Sequence, residues 1–214
     1  MLSCAILTYH SQNIRGNSQA LNDHIALSEN LLALHRAGYR IIPLARMMDW
    51  LGDEAEEPLP KRAVALTFDD GCDFDVKDLD YPGHGVQSAF SRILSDFITA
   101  HGASAQPELQ ATSFVIASSE ARRIIDAGSL FGQGWISDGW WRETDAAGLI
   151  AIESHGWDHN HPDLAGQSRG NFHTVDTHEQ CLEQVVRAAA SIESITGRWP
   201  QFFAYPFGQS SAYI

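Results

Sequence analysis

The run Ala63–Phe68 is a short, apolar, β-rich segment that leads directly into Asp69-Asp70-Gly71. Its composition predicts a buried strand. The two acids then lie where the backbone leaves the sheet, and Gly71 can take a backbone angle that other residues resist. Two carboxylates at one strand end can have different roles, one as a metal ligand and the other as a group that accepts or donates a proton. The alternative is a structural pair that caps the next helix or forms an Asx turn.

A second apolar run, Leu149–Ile152, is followed by Ser154-His155-Gly156-Trp157-Asp158-His159. This places His155 and His159 in an H-x3-H spacing at another predicted strand end. One aspartate and two neutral imidazoles are a common ligand set for a divalent metal, and they leave coordination positions open for water and substrate.

Strands alternate with helices along the chain, which predicts parallel βαβ units and an α/β barrel or open sheet. Six strands are predicted, at residues 4–8, 40–42, 63–68, 111–117, 149–153 and 202–205. The segment from Cys72 to Gly85 is predicted to be irregular. A long helix from Asp176 or Thr177 is predicted to bury one face, formed by Leu182, Val185, Val186, Ala189 and Ile192. The motifs with candidate catalytic and metal-binding residues all lie at the carboxyl ends of predicted strands, where α/β folds place their active sites.

Three tryptophans, Trp135, Trp140 and Trp141, lie between Gly128 and Trp141 among several glycines and follow no helical or strand period. The pattern predicts an aromatic loop. An exposed indole suits the face of a sugar ring. Packing within the loop is an equal alternative.

Length and charge limit the class of protein and of partner. With 214 residues, one single-core domain is expected. The net charge of −13 argues against nucleic acid and anionic lipid surfaces as partners. No stretch approaches the ~20 apolar residues of a membrane span, and the start shows no signal-peptide pattern. The chain as given is therefore expected to be cytoplasmic. Its three cysteines match no zinc spacing.

Together with a third motif, Tyr205-Pro206-Phe207-Gly208, the D-D-G and H-x3-H motifs resemble the polysaccharide deacetylases of carbohydrate esterase family four. Leu7-Thr8-Tyr9-His10 and the strand Ala111–Val115 extend the resemblance over nearly the whole chain. It implies a distorted (β/α)7 barrel. Because six strands are counted, residues 1–214 are expected to form a single polysaccharide-deacetylase-like domain that lacks its last strands.

The resemblance also implies a role for each matching residue. Asp70, His155 and His159 would hold a divalent metal, most simply Zn²⁺, and Asp69 would be the general base that takes a proton from the attacking water. The backbone N–H of Phe207, which stands where relatives often have tyrosine, would stabilise the oxyanion. The residues expected on the substrate side are Tyr205, Pro206, Trp135, Trp140, Trp141 and His10.

Three points in the sequence complicate this assignment. His161 precedes Pro162, as the second histidine of relatives often does, so it is a rival ligand, although the H-x3-H spacing selects His159. Ala204 stands where many relatives carry arginine. The histidine that serves relatives as general acid would fall beyond Ile214, and His10 is the internal candidate for that role.

The resulting expectation is a metal-dependent carbohydrate deacetylase, a hydrolase of C–N bonds other than peptide bonds that acts on an N-acetylated (or O-acetylated) polymer or oligosaccharide. Three alternatives stay open. They are hydrolysis of a non-glycan amide or of O-acetyl xylan, a non-catalytic carbohydrate-binding protein, and a domain whose histidines bind zinc for stability alone.

Overall fold

A computed structural model of the chain describes residues 3–52, 54–55, 57–164 and 171–213. Its contacts divide the chain into two compact units. The first unit comprises Met1–Asp69, Phe74–Thr112 and Gly148–Ala151, and the second comprises Asp70–Asp73, Ser113–Ala147 and Ile152–Ile214. The single domain over residues 1–214 stays a prediction.

The strands are β1 (Ser3–Tyr9), β2 (Arg40–Ile41), β3 (Arg62–Asp70), β4 (Leu79–Tyr81), β5 (Gly85–Gln87), β6 (Ala111–Val115) and β7 (Ile150–Ser154). The α-helices are α1 (Asp23–Arg36), α2 (Leu44–Leu51), α3 (Phe90–His101), α4 (Ser119–Ser129), α5 (Trp141–Ala147), α6 (His178–Cys181) and α7 (Ala188–Thr196). A π-helical turn, Leu182–Arg187, connects α6 to α7. Short 3₁₀ turns cover Asp73–Asp75, Ala103–Ala105, Phe172–Thr174 and Pro206–Gly208. Within the described ranges, none of the helices combines the length and apolar character that a membrane crossing requires.

The main sheet has the strand order β1-β3-β6-β7, and β2 also pairs with β3. Both β1 and β2 run parallel to β3. This confirms the α/β class with a parallel sheet and helices. The register aligns Tyr9 with Phe68, so His10 and Asp69 leave the sheet at the same edge.

Strand β3 forms the centre of the first unit. Its residues from Ala63 to Phe68 are all buried, as the apolar run predicts for a strand that is covered on both faces. Phe68 packs on Phe90 of α3 with ring centroids 4.6 Å apart. Leu27 and Leu31 of α1 join the same core cluster as Phe68.

The prediction of irregular structure from Cys72 to Gly85 missed a β-hairpin. Strands β4 and β5 pair antiparallel, and the His84 N–H donates to the Tyr81 carbonyl to close the turn. Two glycines with positive φ, Gly83 and Gly85, allow the chain to reverse. Each strand is only three residues long, too short for a readable alternation of polar and apolar side chains.

The predicted sixth strand, 202–205, is reduced to one parallel bridge between Ser154 and Phe203. Two backbone hydrogen bonds join this segment to β7, from the Ser154 N–H to the Phe202 carbonyl and from the Ala204 N–H to the Ser154 carbonyl. The pairing does not extend towards the start of the segment, because the N–H groups of Gln201 and Phe202 donate to the Glu153 side chain. Pro206 then ends the extended segment, since proline has no N–H to donate.

The predicted buried face of the last long helix is wrong in its first half. Leu182 and Val186 are 44% and 45% exposed, whereas Gln184 is buried. A π-helical turn has more residues per turn than an α-helix and therefore shifts which residues face inward. Ala189 and Ile192 in α7 are buried as predicted.

Candidate metal centre

Three side chains of the second unit converge at the ends of two strands. Asp70 ends β3, His155 follows β7, and His159 lies four residues further on. One ligand atom from each lies within 4.8 Å of the other two. The Asp70 Oδ1 atom is 3.6 Å from His155 Nε2 and 3.5 Å from His159 Nε2. The structure thus brings together the three residues that the sequence predicts as ligands.

The spacing of these atoms fits a tetrahedrally coordinated ion. Zinc bonds to carboxylate oxygen and imidazole nitrogen are about 2.1 Å long, so two ligand atoms on one tetrahedron are about 3.4 Å apart. The observed 3.5 and 3.6 Å match that edge and are longer than a good N–H···O hydrogen bond. A set of one oxygen and two nitrogens also suits a divalent metal with open positions.

The neighbouring backbone fixes the tautomer of His155. Its Nδ1 lies 2.9 Å from the Ala204 carbonyl oxygen. Because a carbonyl oxygen only accepts, Nδ1 is the donor in this contact, which leaves Nε2, the atom that faces Asp70, as the nitrogen that can bind a metal. A second hydrogen bond of this kind is typical of metal-binding histidines.

Backbone strain is concentrated at this centre. Among the described residues, the non-glycine positions with positive φ are Asp70, Phe131, His159, Asn160 and Phe207. Asp70 and His159 belong to the triad, Asn160 directly follows His159, and Phe207 lies in the Tyr-Pro-Phe-Gly motif. Left-handed backbone is unfavourable for such residues and tends to persist where function requires it.

Gly71 is required by both conformation and space. Its φ is +68°, and a Cβ built there would lie 2.7 Å from Val115 Cγ1. The next residue, Cys72, is fully buried, and its thiol donates to the Trp135 carbonyl at 3.2 Å. The glycine therefore lets the chain turn tightly after the paired aspartates.

Asp69 belongs to the first unit, where its carboxylate faces His10. The two groups are 3.9 Å apart, from His10 Nε2 to Asp69 Oδ2. The His10 N–H donates to the Asp23 carboxylate, which anchors the loop after β1. The residues predicted as general base and proton donor are thus neighbours.

The Tyr-Pro-Phe-Gly motif forms the short turn Pro206–Gly208. The Phe207 ring contacts the His159 ring edge to face, with centroids 4.5 Å apart. Phe207 and Tyr205 are both exposed, while Pro206 is buried. Phe207 therefore packs beside the triad, and Tyr205 is available to a ligand.

The tryptophans divide into two groups. Trp140 and Trp141 are buried, at 6% and 0% exposed. Trp140 Nε1 donates to Asp73, and the Trp141 ring lies under the Arg122 guanidinium. The prediction that these two indoles contact a sugar is therefore wrong, and packing explains them. Trp135 is partly exposed beside the Phe131 ring and stays a predicted sugar contact.

His161, the rival ligand, lies outside the triad. Its Nδ1 accepts a hydrogen bond from the Asp163 N–H, and its ring centroid is 5.7 Å from that of His159. Burial lowers the pKa of His161, and the carboxylates of Asp163 and Asp70 oppose that effect.

An ionic network around the buried Glu153 supports the segment next to the centre, and sequence reasoning missed it. Glu153, on β7, accepts from Arg198, whose guanidinium also binds Asp145 on α5. Burial raises the pKa of Glu153 against the opposing effect of the Phe202 N–H and of Arg198. Its contacts with 201–202 fix the segment that supplies the Ala204 carbonyl. The available signal was a carboxylate inside an apolar strand, which requires a buried partner.

The chain was compared with known proteins. Residues 56–214 match the model of the family described as polysaccharide deacetylase. A comparison with curated protein sequences gave no match.

Solved structures with a similar fold include IcaB, a de-N-acetylase and the BpsB deacetylase domain. IcaB from Ammonifex degensii is 21% identical with a TM-score of 0.65, over 98% of this chain and 76% of that chain. The de-N-acetylase from Aggregatibacter actinomycetemcomitans is 17% identical with a TM-score of 0.60, over 96% and 80% of the two chains. The BpsB deacetylase domain from Bordetella bronchiseptica is 17% identical with a TM-score of 0.60, over 99% and 81%. At these identities the structures show a shared fold, and the family match covers most of the sequence. The chain therefore belongs to the polysaccharide deacetylase family.

Proposed function

We propose that this chain is a metal-dependent hydrolase that removes acetyl groups from an N-acetylated carbohydrate polymer or oligosaccharide. The observation that carries the proposal is the Asp70–His155–His159 cluster in a chain of the polysaccharide deacetylase family. One of the similar structures is a de-N-acetylase, which favours an N-acetyl over an O-acetyl substrate.

The three clustered side chains are the residues that would hold the metal, and Zn²⁺ fits their spacing. A divalent metal at such a site supplies Lewis acidity, which activates a water and polarises the acetyl carbonyl. Asp69, adjacent to Asp70 in the chain, would accept the proton of the attacking water as general base. The Phe207 N–H would donate to the carbonyl oxygen as that oxygen gains charge.

His10 is the proposed proton donor to the leaving amine. An amine leaves readily only when it is protonated, so amide hydrolysis needs an acid as well as a base. The 3.9 Å separation of His10 Nε2 and Asp69 Oδ2 supports this pairing. A proton taken up by Asp69 has a short route to the imidazole that delivers it.

On the substrate side, Tyr205 and Trp135 are the proposed sugar contacts. Each presents an aromatic face with a polar tip, the combination that suits a sugar ring. The net charge of −13 fits a neutral glycan whose product becomes a cationic amine, and it disfavours nucleic acid.

The test is a calorimetric titration of the purified chain with Zn²⁺, alongside the His155→Ala variant. We expect one tight site in the wild-type chain, lost in a variant that keeps its circular dichroism spectrum. Acetate release from N-acetylated chito-oligosaccharides should then exceed release from O-acetylated xylan. A folded wild-type chain that binds no divalent metal would contradict the proposal.

A further inference from the structure

The π-helical turn Leu182–Arg187 buries a polar side chain where the sequence predicts apolar ones. Gln184 is 6% exposed, while Leu182 and Val186 on the same turn face solvent. A π-helical turn within a longer helix is rare and occurs frequently at functional sites. Burying a carboxamide costs free energy of folding unless its hydrogen bonds are made. The partners of the Gln184 carboxamide therefore indicate the structural role of the π-helical turn.

Within the described part of the chain, the Gln184 carboxamide makes its hydrogen bonds to the segment Gly156–Asp158, the bridge between the two histidines of the triad. Its Oε1 accepts from the Trp157 N–H at 3.0 Å and, more weakly, from the Asp158 N–H at 3.4 Å. Its Nε2 donates to Asp158 Oδ1 at 2.6 Å. That same carboxylate oxygen accepts from the Asn160 N–H at 2.9 Å. One side chain thus holds both ends of the Trp157–Asp158 peptide segment.

The bridge needs this support because it leads directly into strained backbone, the non-glycine residues His159 and Asn160 with positive φ. Gly156 has a φ of +91°, His159 of +63° and Asn160 of +48°. A Cβ on Gly156 would lie 3.0 Å from Gln184 Oε1, so the glycine also makes room for the carboxamide. Strained backbone persists only when the surrounding contacts over-determine it.

Arg187, from the same π-helical turn, adds a second contact to the bridge. Its guanidinium lies 3.7 Å from the centroid of the Trp157 ring, in cation–π geometry. The turn therefore contacts the bridge both through the Gln184 carboxamide and through this stacking.

We propose that Gln184 is a positioning residue for the metal centre: its carboxamide holds the Gly156–Asp158 bridge so that His159 stays in the left-handed conformation that directs it to Asp70. The inference rests on the proposed function. It gives a role to the buried carboxamide of the π-helical turn, whose Leu182 and Val186 side chains face solvent.

The experiment compares Zn²⁺ dissociation constants, measured by calorimetry, with the urea unfolding of the metal-free protein. Gln184→Met keeps the length of the side chain and removes its hydrogen bonds, and we expect it to weaken Zn²⁺ binding about tenfold. Gln184→Glu places a second carboxylate against Asp158 and should weaken binding at least as much. The matched control is Val186→Thr, an exposed position on the same turn, which should leave the affinity unchanged.

A rescue variant separates positioning from general stability. Gln184→Glu combined with Asp158→Asn reverses donor and acceptor across the contact between the two side chains, and it should recover part of the Zn²⁺ affinity that Gln184→Glu loses. Recovery is incomplete because the introduced amide group that faces position 184 cannot accept from the Asn160 N–H, as the Asp158 carboxylate does. The visible absorption spectrum of the Co²⁺-substituted protein should likewise change in Gln184→Met and return in part in the double variant. If Gln184→Met fails to fold, the comparison of Gln184→Glu with the double variant still tests the positioning role.

Two results would overturn the inference in distinguishable ways. If the wild-type chain binds Zn²⁺ and the Gln184 variants lose only urea stability, with affinity and Co²⁺ spectrum unchanged, Gln184 is merely structural and the proposed function stands. If the folded wild-type chain binds no metal, the proposed function itself fails and the inference fails with it.

Discussion

Asp69 and Asp70 are adjacent carboxylates to which we assign different tasks, the first a proton acceptor and the second a metal ligand. Asp69→Asn should therefore lower the rate of acetate release by about 10²–10⁴-fold, the usual contribution of a general base. Zn²⁺ affinity, measured by calorimetry, should stay within a few-fold of wild type.

The comparison variant is Asp70→Asn, which should lose the metal as well as the activity. If Asp69→Asn retains full acetate release, Asp69 is not the base. If the wild-type chain binds glycan but releases no acetate, and Asp69→Asn binds glycan equally well, the non-catalytic carbohydrate-binding alternative is favoured.

Gly71 can be compared with Gly83, since both have positive φ but differ in the space around them. A Cβ on Gly71 meets Val115, whereas a Cβ on Gly83 meets nothing within 4 Å. Gly83→Ala should cost about 1 kcal/mol for left-handed backbone alone. Gly71→Ala adds overpacking and should cost about 3 kcal/mol. Urea unfolding of the metal-free variants measures both, and equal losses would show that Val115 moves away freely.

At the scale of elements, Arg198 links α5 to β7 and to the segment after α7. Its guanidinium donates to Asp145 through two nitrogens and to Glu153 through one. Burial acts to raise the pKa of Asp145, but the hydrogen bonds from Arg198 and the Ile152 N–H outweigh it, so the pKa of Asp145 lies below its ordinary value of 3.8.

This depressed pKa predicts a stability difference that depends on pH. The unfolded chain binds a proton at Asp145 before the folded chain does, so the contribution is complete above pH 3.8 and is lost as the pH falls through the lower folded value. Asp145→Asn should therefore cost about 1 kcal/mol at pH 7, a modest figure because Arg198 is partly exposed. The cost should shrink in acid, measured as urea midpoints at pH 7 and pH 3.5. A cost that is equal at both pH values would contradict the ionic assignment.

Sequence patterns predicted the elements that obey one period from end to end. Strand β3 is predictable because Ala63–Phe68 is apolar except for Thr67, and α7 because Ala189 and Ile192 keep the helical spacing. The π-helical turn is not, because a change in the number of residues per turn alters which side chains face inward, and no local propensity marks it. The segment 202–205 has the composition of a strand, but it pairs with β7 through a single bridge at Ser154, and the N–H groups of Gln201 and Phe202 donate to the Glu153 side chain.

At the scale of the whole molecule, metal binding should add stability without creating the fold. A ligand present at 1,000 times its dissociation constant stabilises the folded state by about 4 kcal/mol. For a chain of this size we expect Zn²⁺ to raise the melting temperature by about 10 °C. A chelator should reverse the rise and leave the far-ultraviolet circular dichroism spectrum of a folded protein.

His155→Ala is the control, because its melting temperature should not respond to Zn²⁺. Complete unfolding of the wild-type chain on chelation at room temperature would instead favour the alternative in which the histidines bind zinc for stability alone.

The candidate site was more predictable than the contacts around it. Asp70, His155 and His159 are found by residue type and spacing, since metal ligands must be of few kinds and close together. The side chains that hold them, such as Gln184 and Glu153, come from distant parts of the sequence and follow no spacing rule. Trp140 and Trp141 show the converse limit: an aromatic loop looks the same in sequence whether its rings face solvent or the core.

Cys72 gives this protein an internal reporter of local opening. Its thiol is buried within two residues of Asp70, while Cys4 is exposed and Cys181 is partly exposed. A thiol-reactive reagent should therefore modify Cys4 quickly and Cys72 only during the moments when the turn after β3 comes apart. The labelling rate at Cys72, read by mass spectrometry, would time that opening in the unaltered chain.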